Sequence, residues 1–424
     1  MAGFALLLRF LSWRQAAAFA LAALLFNAFA LASVAPSIIR KTEGRARRAG
    51  ELYYPLSVLA LILVFRERLD IVAAAWGVMA FGDGFATLVG SQSTGPRLPW
   101  NPQKSWYGLF AFIAAGSLGS VSLCLWSVQD WVDRPEAEYL LSAPVIATLV
   151  AAFVETLPSN VDDNLSVPAT AGATMWIAAQ VDRGVDEWTD IVAAIMVSAP
   201  IAVLAWRAHA VTRGGAIAGF LCAVAIYLGQ YLAGIVVLGI ALAFTIASSQ
   251  FGRRRKEALG IAEERGGSRG AGNVLANCLV GSVGATLAAF SSAWSGEAGA
   301  VMFVTGIAAG ASDTVASEIG KAFGGTPRAF PTFRAVPPGT PGAVSIVGTA
   351  AGIVAAGLMA LAAAMMWVLP PGMVAIVVIA CTAGAFIEST LATEFEAAGV
   401  LDNNMLNLFN TASAAVLAVW WVTR

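Results

Sequence analysis

Apolar runs of about twenty residues recur along almost the whole chain, and short polar segments separate them. An α-helix needs about twenty apolar residues to cross the hydrocarbon core of a bilayer. Hydrophobic residues make up 58% of the 424 residues and charged residues only 12%, which excludes an ordinary soluble domain. The pattern therefore predicts an all-α membrane protein that crosses the bilayer many times.

About fourteen apolar runs can be separated, which predicts about fourteen transmembrane helices. The runs lie near residues 15–38, 52–65, 69–90, 106–126, 138–157, 164–181, 189–206, 213–228, 230–250, 272–291, 297–311, 342–368, 372–391 and 405–422. Most of the 25 Lys and Arg residues then fall on one side, including the clusters 40–48 and 253–256. Because basic loops stay in the cytoplasm, we expect an integral protein of the cell inner membrane with this side facing the cytoplasm.

Polar residues recur in the same order in the two halves of the chain. The separations are 230 residues for Asp83 and Asp313, 234 for Gly108 and Gly342, 233 for Glu155 and Glu388, and 239 for Asn164 and Asn403. All of these residues fall on the predicted cytoplasmic side. Two halves of seven spans that begin on the same side predict a parallel duplication, with membrane domains at 1–210 and 211–424.

The segment FGDGFATLVG (81–90) places Asp83 between Gly82 and Gly84 at the inner end of a predicted span. A carboxylate near hydrocarbon costs a few kcal/mol unless it has a partner, so such a residue is a functional candidate. The glycines allow a close approach of backbone to a ligand. Asp83 is predicted to bind magnesium on a nucleotide phosphate or to accept a proton from a hydroxyl; the alternative is a solvated helix cap.

Two further segments of the first half carry polar residues. In NPQKSWYG (101–108), Lys104 is a candidate phosphate counter-charge and Gly108 opens the next helix, although a plain membrane-surface anchor is the alternative. In VETLPSNVDDNLSVP (154–168), Glu155, Asp163 and Asn164 have the composition of a hard-cation site. A solvated turn is the alternative for the second segment. Its acidic charge, however, lies on the predicted cytoplasmic side, where most of the basic residues fall.

The segment SDTVASEIG (312–320) sets Asp313 and Glu318 five positions apart. Five helical residues rotate by about 140°, so the two carboxylates can share a divalent ion only if the helix is broken. We therefore expect a broken helix. Glu388 lies within an apolar run, where a charge needs an explanation.

The loop that follows, TPRAFPTFRAVPPGTPG (326–342), combines glycine with Arg328 and Arg334 before a predicted helix. This is the composition of a phosphate-binding loop, although no GxxxxGK[ST] motif occurs in the sequence. The single histidine and the four scattered cysteines exclude a zinc cluster, a disulfide framework and a histidine-based triad. A net charge of −1 gives no reason to expect a nucleic-acid partner.

These motifs resemble two known families. GELYYPLSVL (50–59), FGDGFATLVG, the K-x-W-x-G pattern ending at Gly108, and VETL with DNLSVP resemble the phytol kinase and dolichol kinase family over about residues 30–210. NVLAN (273–277), SDTVASEIG, GTPGAVSIVG and Glu388 with DNNMLN (402–407) resemble the integral membrane family that includes phytyl-phosphate kinase over about residues 211–424. The chain thus resembles a fusion of the two.

The resemblance implies that the first half phosphorylates an isoprenoid alcohol such as phytol or geranylgeraniol, with CTP as donor and Mg²⁺ as cofactor. The second half would phosphorylate the monophosphate to a prenyl diphosphate. It implies catalytic roles for Asp83, Lys104, Asp313 and Glu318, and metal binding by Asp83, Glu155, Asp163, Asp313, Glu318 and Glu388. The nucleotide and phosphate ligands it implies are Asn164, Asn277, Gly339, Thr340, Gly342, Asn403, Asn404 and Asn407. The sequence pattern itself adds Gly82, Gly84, Gly108, Arg328 and Arg334 as candidates.

Three positions depart from these families: Glu43 and Val315 stand where many members have His and Trp, and Glu388 where many have Asp. Two other functions fit part of the pattern. A CTP-dependent lipid-phosphate cytidylyltransferase also carries K-x-W-x-G near an acidic motif. A secondary transporter typically has internal repeats and intramembrane carboxylates, but clusters at one membrane surface rather than at its centre count against it.

Overall fold

The computed structural model describes residues 2–30, 47–93, 95–98, 101–156, 162–181, 188–261, 268–294, 296–396 and 401–424. Arg40, Lys41, Glu43 and Arg45, and most of the acidic loop near 182–190, lie outside these residues. Ten helices in the described part are long and apolar enough to cross a membrane, and the strands there form two small sheets. The prediction of a helical membrane protein is confirmed, whereas the count of fourteen spans stays a prediction.

The chain divides into two compact units, Met1–Ala179 and Gln180–Arg424. This division lies earlier in the chain than the predicted boundary at 210. The reason is that helix Trp188–Arg207 packs against the helix that follows it, Arg213–Gln250, and so belongs to the second unit.

The described residues of the first unit form helices and one small hairpin. Its elements are α1 (Ala2–Ala5), a 3₁₀ turn (Leu6–Arg9), α2 (Trp13–Phe29), α3 (Arg47–Val64), α4 (Leu69–Gly77), a π-helical turn (Val78–Asp83), α5 (Gly84–Gln92), β1 (Arg97–Leu98), β2 (Asn101–Ser105), α6 (Trp106–Ser127), α7 (Ala137–Thr156) and α8 (Asp163–Gln180). The strands β1 and β2 are antiparallel. The π turn lies within a single long span, and such turns are frequent at functional sites.

The close packing of α5 against α6 depends on glycine. A Cβ on Gly108 would lie 3.3 Å from the Ala86 carbonyl oxygen and 3.5 Å from Gly90 Cα. Ser105 caps α6, because its Oγ accepts a hydrogen bond of 3.1 Å from the Gly108 amide. The hairpin β1–β2 therefore leads directly into α6, which packs against α5.

The described residues of the second unit form seven long helices and the short helix α11. Its elements are α9 (Trp188–Arg207), α10 (Arg213–Gln250), α11 (Arg253–Ala258), α12 (Ala271–Phe290), α13 (Glu297–Phe323), β3 (Arg328–Ala329), β4 (Arg334–Ala335), β5 (Ala343–Val344), α14 (Ile346–Met365), a 3₁₀ turn (Pro371–Met373), α15 (Val374–Leu391), a π-helical turn (Ala392–Glu396) and α16 (Asn403–Val422). The three strands form an antiparallel sheet in the order β4-β3-β5.

Helix α10 is interrupted at Tyr231, which has a positive φ of 50°. Gly219 and Leu242 line the same cavity, although in a straight helix they would be roughly 35 Å apart. The two parts of α10 therefore fold back on each other, as the separate runs at 213–228 and 230–250 predict.

The predicted break between Asp313 and Glu318 is wrong, because α13 runs unbroken from Glu297 to Phe323. The hydroxyl of Thr314 donates to the Gly310 carbonyl within the helix instead of interrupting it. The two carboxylates consequently point to different faces of one regular helix.

Helices α13 and α14 repeat the packing that α5 and α6 show in the first unit. A Cβ on Gly348 would lie 2.5 Å from the Ala316 carbonyl oxygen and 3.1 Å from Gly320 Cα. Ser345 caps α14 by accepting a hydrogen bond of 3.1 Å from the Gly348 amide. The glycine of α14 that makes the contact of Gly108 in α6 is therefore Gly348, whereas the sequence pattern pairs Gly108 with Gly342.

Candidate active sites

Three carboxylates gather at the ends of helices in the first unit. Asp83 ends the π turn before α5, Glu155 lies in the last turn of α7, and Asp163 begins α8. One carboxylate oxygen from each lies within 4.8 Å of the others. Glu155 is buried and the other two are half-buried. Like charges this close destabilise one another unless a cation compensates them.

Lys104 supplies a cation to this acidic cluster. From the end of the hairpin, its Nζ donates to Glu155 Oε1 at 2.5 Å and to Asp163 Oδ2 at 3.1 Å. Burial of Lys104 disfavours its charged form, but the hydrogen bond to Glu155 and the charges of Glu155 and Asp163 outweigh it and raise the pKa of the ammonium group. The structure thus places Lys104 on carboxylates, where the sequence predicted a phosphate counter-charge.

The acidic cluster also has the donor set that a divalent ion requires. Mg²⁺ is commonly held by one or two carboxylates together with substrate phosphates, and the oxygens of Asp83, Glu155 and Asp163 converge as such a site needs. The residues present therefore fit this ion. Asn164 does not join them, since its Nδ2 donates to Asp162 Oδ1 at 2.8 Å.

The three glycines predicted to bind nucleotide in the first half have different environments. A Cβ on Gly82 would lie 2.8 Å from Cε1 of the buried Phe112, so this glycine allows α6 to pack closely. The amide of Gly108 is used in the Ser105 cap and is not aimed at a ligand. Of the three, only Gly84 faces open space, because a Cβ on it would meet nothing within 4 Å.

The second unit contains a cavity of about 270 Å³ beside α13, α14 and α15. Six of the predicted site residues line it: Asp313, Gly339, Thr340, Gly342, Glu388 and Asn403. Oε2 of Glu388, which lines this cavity, is buried and has no hydrogen-bond partner among the described residues. A buried carboxyl oxygen without a partner is costly unless the group is protonated or a cation lies nearby.

The loop between β4 and β5 closes one side of this cavity and requires glycine. Gly339 and Gly342 have φ values of 88° and 71°, in the left-handed region that other residues rarely adopt. A Cβ on Gly342 would also lie 2.5 Å from the Ser389 carbonyl oxygen. The hydroxyl of Thr340 donates to the Pro337 carbonyl at 2.8 Å, which closes the turn.

The structure does not bring Glu318 to the polar cavity, and its predicted catalytic and metal-binding roles stay predictions. The Glu318 side chain is 2% exposed, and its two oxygens accept hydrogen bonds from Lys256 Nζ at 2.5 Å and Lys321 Nζ at 3.0 Å. Lys256 is equally buried and also donates to the carbonyls of Ser248 and Ser249. Because both oxygens are bonded to ammonium groups, Glu318 anchors α11 to α13.

Five other predicted ligands of the second half lie outside the 270 Å³ cavity. Arg328 and Arg334 are exposed on the small sheet, and Arg328 Nη1 donates to the Phe333 carbonyl at 2.8 Å. Asn404 packs beside Gly272, while Asn407 is buried on α16. Asn277 lines a separate apolar cavity.

Two residues that line the polar cavity were missed by the sequence prediction. Lys321 follows Glu318 by three positions on the same helix, the spacing of an ion pair, and lines the cavity. Glu396 ends the π turn after α15 and also lines the cavity.

Similarity to known proteins agrees with the helical membrane architecture. The family model of the integral membrane protein DUF92 matches residues 196–415, more than half of the chain. The chain is 31% identical over 218 residues to Protein VTE6, chloroplastic, of Arabidopsis thaliana, which covers 49% of the chain and 64% of that relative. No solved structure matches the chain.

Relatives named as kinases match shorter stretches. Identity to a probable chloroplastic phytol kinase of Triticum aestivum is 34% over 146 residues, covering 34% of the chain and 47% of the relative. Identity to phytol kinase 1, chloroplastic, of Arabidopsis thaliana is 32% over 130 residues, covering 30% of the chain and 43% of the relative. The chain thus spans less than two thirds of each of these relatives. The resemblance to phytol kinases is confirmed, the fusion of two families stays a prediction, and the chain belongs to the integral membrane protein family DUF92.

Proposed function

We propose that this chain phosphorylates an isoprenoid alcohol in the membrane. The first unit transfers a phosphoryl group from CTP to a prenol such as phytol or geranylgeraniol, and the second unit converts the monophosphate to the diphosphate. The observation that carries the proposal is the convergence of Asp83, Glu155 and Asp163 with Lys104 at helix ends. The similarity to proteins named phytol kinases supports the reaction class.

The position of the acidic cluster suits reactants of opposite solubility. A prenol dissolves in lipid and a nucleotide in water, so the reacting hydroxyl must lie at the membrane interface, where helices end. Phosphoryl transfer depends mainly on positioning and on neutralising charge. When bound by Asp83, Glu155 and Asp163, Mg²⁺ would neutralise charge on the nucleotide phosphates. Lys104 keeps Glu155 and Asp163 in place before ligands arrive.

The second unit offers a matching arrangement for a charged acceptor. Asp313 and Glu388 lie in a cavity whose opposite side is the glycine-containing loop at 339–342, and Lys321 lines the same cavity. Backbone amides of such loops and a nearby ammonium group favour phosphate. We assign the nucleotide and the prenyl phosphate of the second step to this cavity.

We further propose a membrane topology for this function. The chain crosses the membrane about fourteen times as two parallel repeats, and both sites face the cytoplasm from the inner membrane. The recurring order of a long helix, a small sheet and three helices supports the repeat. So does the shared contact of a serine cap with a glycine at the start of α6 and of α14.

The experiment supplies membranes that contain the protein with geranylgeraniol, CTP and Mg²⁺ and identifies the products by mass spectrometry. Asp83→Asn should abolish monophosphate formation but keep conversion of added monophosphate to diphosphate. Asp313→Asn should accumulate monophosphate. Asp130→Asn is the matched control, because the Asp130 carboxylate is exposed and forms an ion pair with Arg9 instead of joining the acidic cluster.

Three results would overturn the proposal. Release of pyrophosphate with a CDP-linked lipid would indicate a cytidylyltransferase, since a kinase releases CDP. Uptake of a prenol or a prenyl phosphate into liposomes without any chemical change would indicate a transporter. Unchanged monophosphate formation by Asp83→Asn would remove the assigned role of the acidic cluster.

A further inference from the structure

The polar cavity of the second unit, beside α13, α14 and α15, is too small to enclose two whole reactants. Its volume is about 270 Å³. Sites that enclose a single small molecule measure roughly 300–1,000 Å³. The proposed reaction brings both a nucleotide and a prenyl phosphate to this cavity. The hydrocarbon chain of the prenyl phosphate must therefore lie largely outside it.

The charged end of the polar cavity lies near the end of α13. Lys321, in the last turn of this helix, lines the cavity. Its Nζ donates to Glu318 Oε1 at 3.0 Å, so the ammonium group is held over the preceding turn, towards Asp313. Among the described residues that line the cavity, Lys321 is the only Lys or Arg.

Lys321 has hydrogen-bonding capacity left for a ligand. An ammonium group has three N–H donors. Lys256, the other partner of Glu318, uses all three, because it also donates to two backbone carbonyls at 3.2 Å and 2.8 Å. In the part of the chain that the structure describes, the ammonium group of Lys321 makes one hydrogen bond, which leaves two donors. Because Lys256 also neutralises Glu318, Lys321 can bind an anion without leaving a buried carboxylate unpaired.

The other end of the polar cavity lies deeper along α13. Gly352 of α14 packs on the Ser312 carbonyl, since a Cβ there would lie 3.1 Å from this oxygen. Ser312 precedes Lys321 by nine residues, which is about 13 Å along the helix. Cys381 of α15 also lines the cavity, and its Sγ donates to the Thr305 carbonyl at 3.8 Å, still farther from Lys321. The cavity therefore extends along α13 from a charged end into the interior of the span.

This deeper end reaches the surface of the helix bundle between α14 and α15. Ile353 lines the cavity and is also 41% exposed, and Thr382 and Ala385 of α15 line it as well. The hydroxyl of Thr382 donates to the Val378 carbonyl at 2.8 Å, so its polar atom is satisfied within the helix. The two helices touch one turn farther on, where a Cβ on Gly357 would lie 3.9 Å from Val378 Cγ2. Because both helices are long and apolar enough to span a membrane, the surface exposed here faces lipid.

We propose that the acceptor enters the polar cavity laterally from the membrane, between α14 and α15, with its isoprenoid chain in lipid against Ile353 and its phosphate directed to Lys321. The chain then stays in lipid and is not exposed to water, which would be unfavourable. The nucleotide reaches the acceptor from the charged end of the cavity. This inference rests on the function proposed for the second unit and adds how that unit orients its acceptor.

Photolabelling locates the chain directly. A C20 prenyl monophosphate with a diazirine near its phosphate end is irradiated with purified full-length protein in phosphatidylcholine nanodiscs, without nucleotide. Mass spectrometry of the peptides should find the label on α14 and α15 near Ile353 and Thr382, and excess C20 monophosphate without the diazirine should prevent it. Label confined to other helices would overturn the inference. So would equal competition by phosphatidic acid, which would identify a general site for anionic lipids.

A first pair of variants tests the opening between the helices. Ile353→Trp fills it, and Val354→Trp is the matched control, because Val354 is the next residue, is 59% exposed and does not line the polar cavity. Ile353→Trp should weaken binding of the C20 monophosphate by about tenfold or more and leave binding of CTP unchanged. No loss for the monophosphate, or an equal loss for CTP, would contradict lateral entry.

A second pair tests the charged end. Lys321→Met should weaken binding of the C20 monophosphate by roughly 10–100-fold, and Lys321→Arg should keep most of it, because the phosphate needs a cation. Arg254→Met is the control, since Arg254 is exposed and does not line the polar cavity. If Lys321→Met weakened only the binding of CTP, or neither ligand, the orientation proposed for the acceptor would be wrong.

Binding without nucleotide separates this inference from the proposed kinase activity. Label near Ile353 that the C20 monophosphate prevents, without diphosphate formation on adding CTP and Mg²⁺, would support lateral entry and contradict the kinase proposal. Diphosphate formation by Ile353→Trp with an unchanged KM for the C20 monophosphate would support the kinase proposal and contradict lateral entry.

Discussion

The two units bring carboxylates together in similar places but compensate their charge differently. In the first unit, Lys104 bonds directly to Glu155 and Asp163. In the second, the ammonium groups of Lys256 and Lys321 bond to Glu318, which lies outside the cavity. Related helix packing therefore does not determine the charge of a site; individual side chains do.

A further difference lies at the start of α8 in the first unit and of α16 in the second. Asp162 and Asp402 both accept hydrogen bonds from amides that follow them in the chain. The next residue, which begins the helix, is Asp163 in the first unit and Asn403 in the second, although the sequence pattern pairs Asn403 with Asn164. The second site thus has an amide where the first has a carboxylate. An acceptor that already carries a phosphate would be repelled less by such a site.

The largest predicted effect tests whether the buried lysine pair of the second unit is structural. Glu318→Gln would leave Lys256 without this carboxylate. The charge of Lys256 would stay buried, because the Lys256 side chain is only 1% exposed. We expect the free energy of unfolding to fall by about 3–5 kcal/mol. Thermal unfolding in detergent measures it. Glu257→Gln, in the exposed pair with Arg253, is the control and should change stability by about 1 kcal/mol or less. Equal destabilisation by both changes would contradict the assignment.

Asp163 and Asn403 differ in charge between the two sites. Exchanging them should therefore make the charge of each site more like that of the other. Asn403→Asp adds a negative charge beside Asp313 and Glu388, and we expect it to weaken binding of a prenyl monophosphate by roughly 10–100-fold. Asp163→Asn removes a carboxylate from the first site and should raise the Mg²⁺ concentration needed for monophosphate formation. Titration of each step with Mg²⁺ and acceptor measures both effects. If Asn403→Asp bound the monophosphate as tightly as the unmodified protein, the comparison would fail.

The equivalent glycines at the starts of α6 and α14 should differ in their tolerance of alanine. Gly348→Ala would place Cβ 2.5 Å from a backbone oxygen, whereas the same distance for Gly108→Ala is 3.3 Å. We expect Gly348→Ala to cost about 1–3 kcal/mol and Gly108→Ala less. Thermal unfolding of both variants checks the order. A larger loss for Gly108→Ala would show that the two contacts are not equivalent.

The smallest predicted effect concerns the lysine of the first site. Lys104→Met removes its charge and leaves Glu155 and Asp163 without the cation that bonds to both. We expect monophosphate formation to fall by about tenfold at saturating Mg²⁺. The Mg²⁺ concentration for half-maximal rate should fall too, because the more negative site attracts the ion more strongly.

The pH dependence of this variant provides a separate check. The pKa of Lys104 is raised above its ordinary value of 10.5, so its ion pairs are fully present below that pH and are lost only as the pH rises through the raised pKa. The ratio of unmodified to Lys104→Met activity should therefore be constant between about pH 7 and pH 9. A ratio that falls within this interval would show that Lys104 loses its proton there.

The membrane class and the positions of most helices could be predicted from the sequence because hydropathy is a local property. The runs at 106–126 and 372–391 closely match Trp106–Ser127 and Val374–Leu391. Asp313 and Glu388 were also found from the sequence, since a charge inside an apolar run needs an explanation wherever it lies.

Only the tertiary structure decided which charged groups meet. Lys104 and Glu155 are 51 residues apart in the chain, and Lys256 and Glu318 are 62 apart. Such pairs form where packed helices bring their ends together, and helix packing depends on contacts such as Gly348 against α13 that hydropathy does not report. The sequence alone therefore determined a helical membrane protein with unusual acidic residues. The packing of its helices decided which acids face a cavity and which are neutralised by lysine.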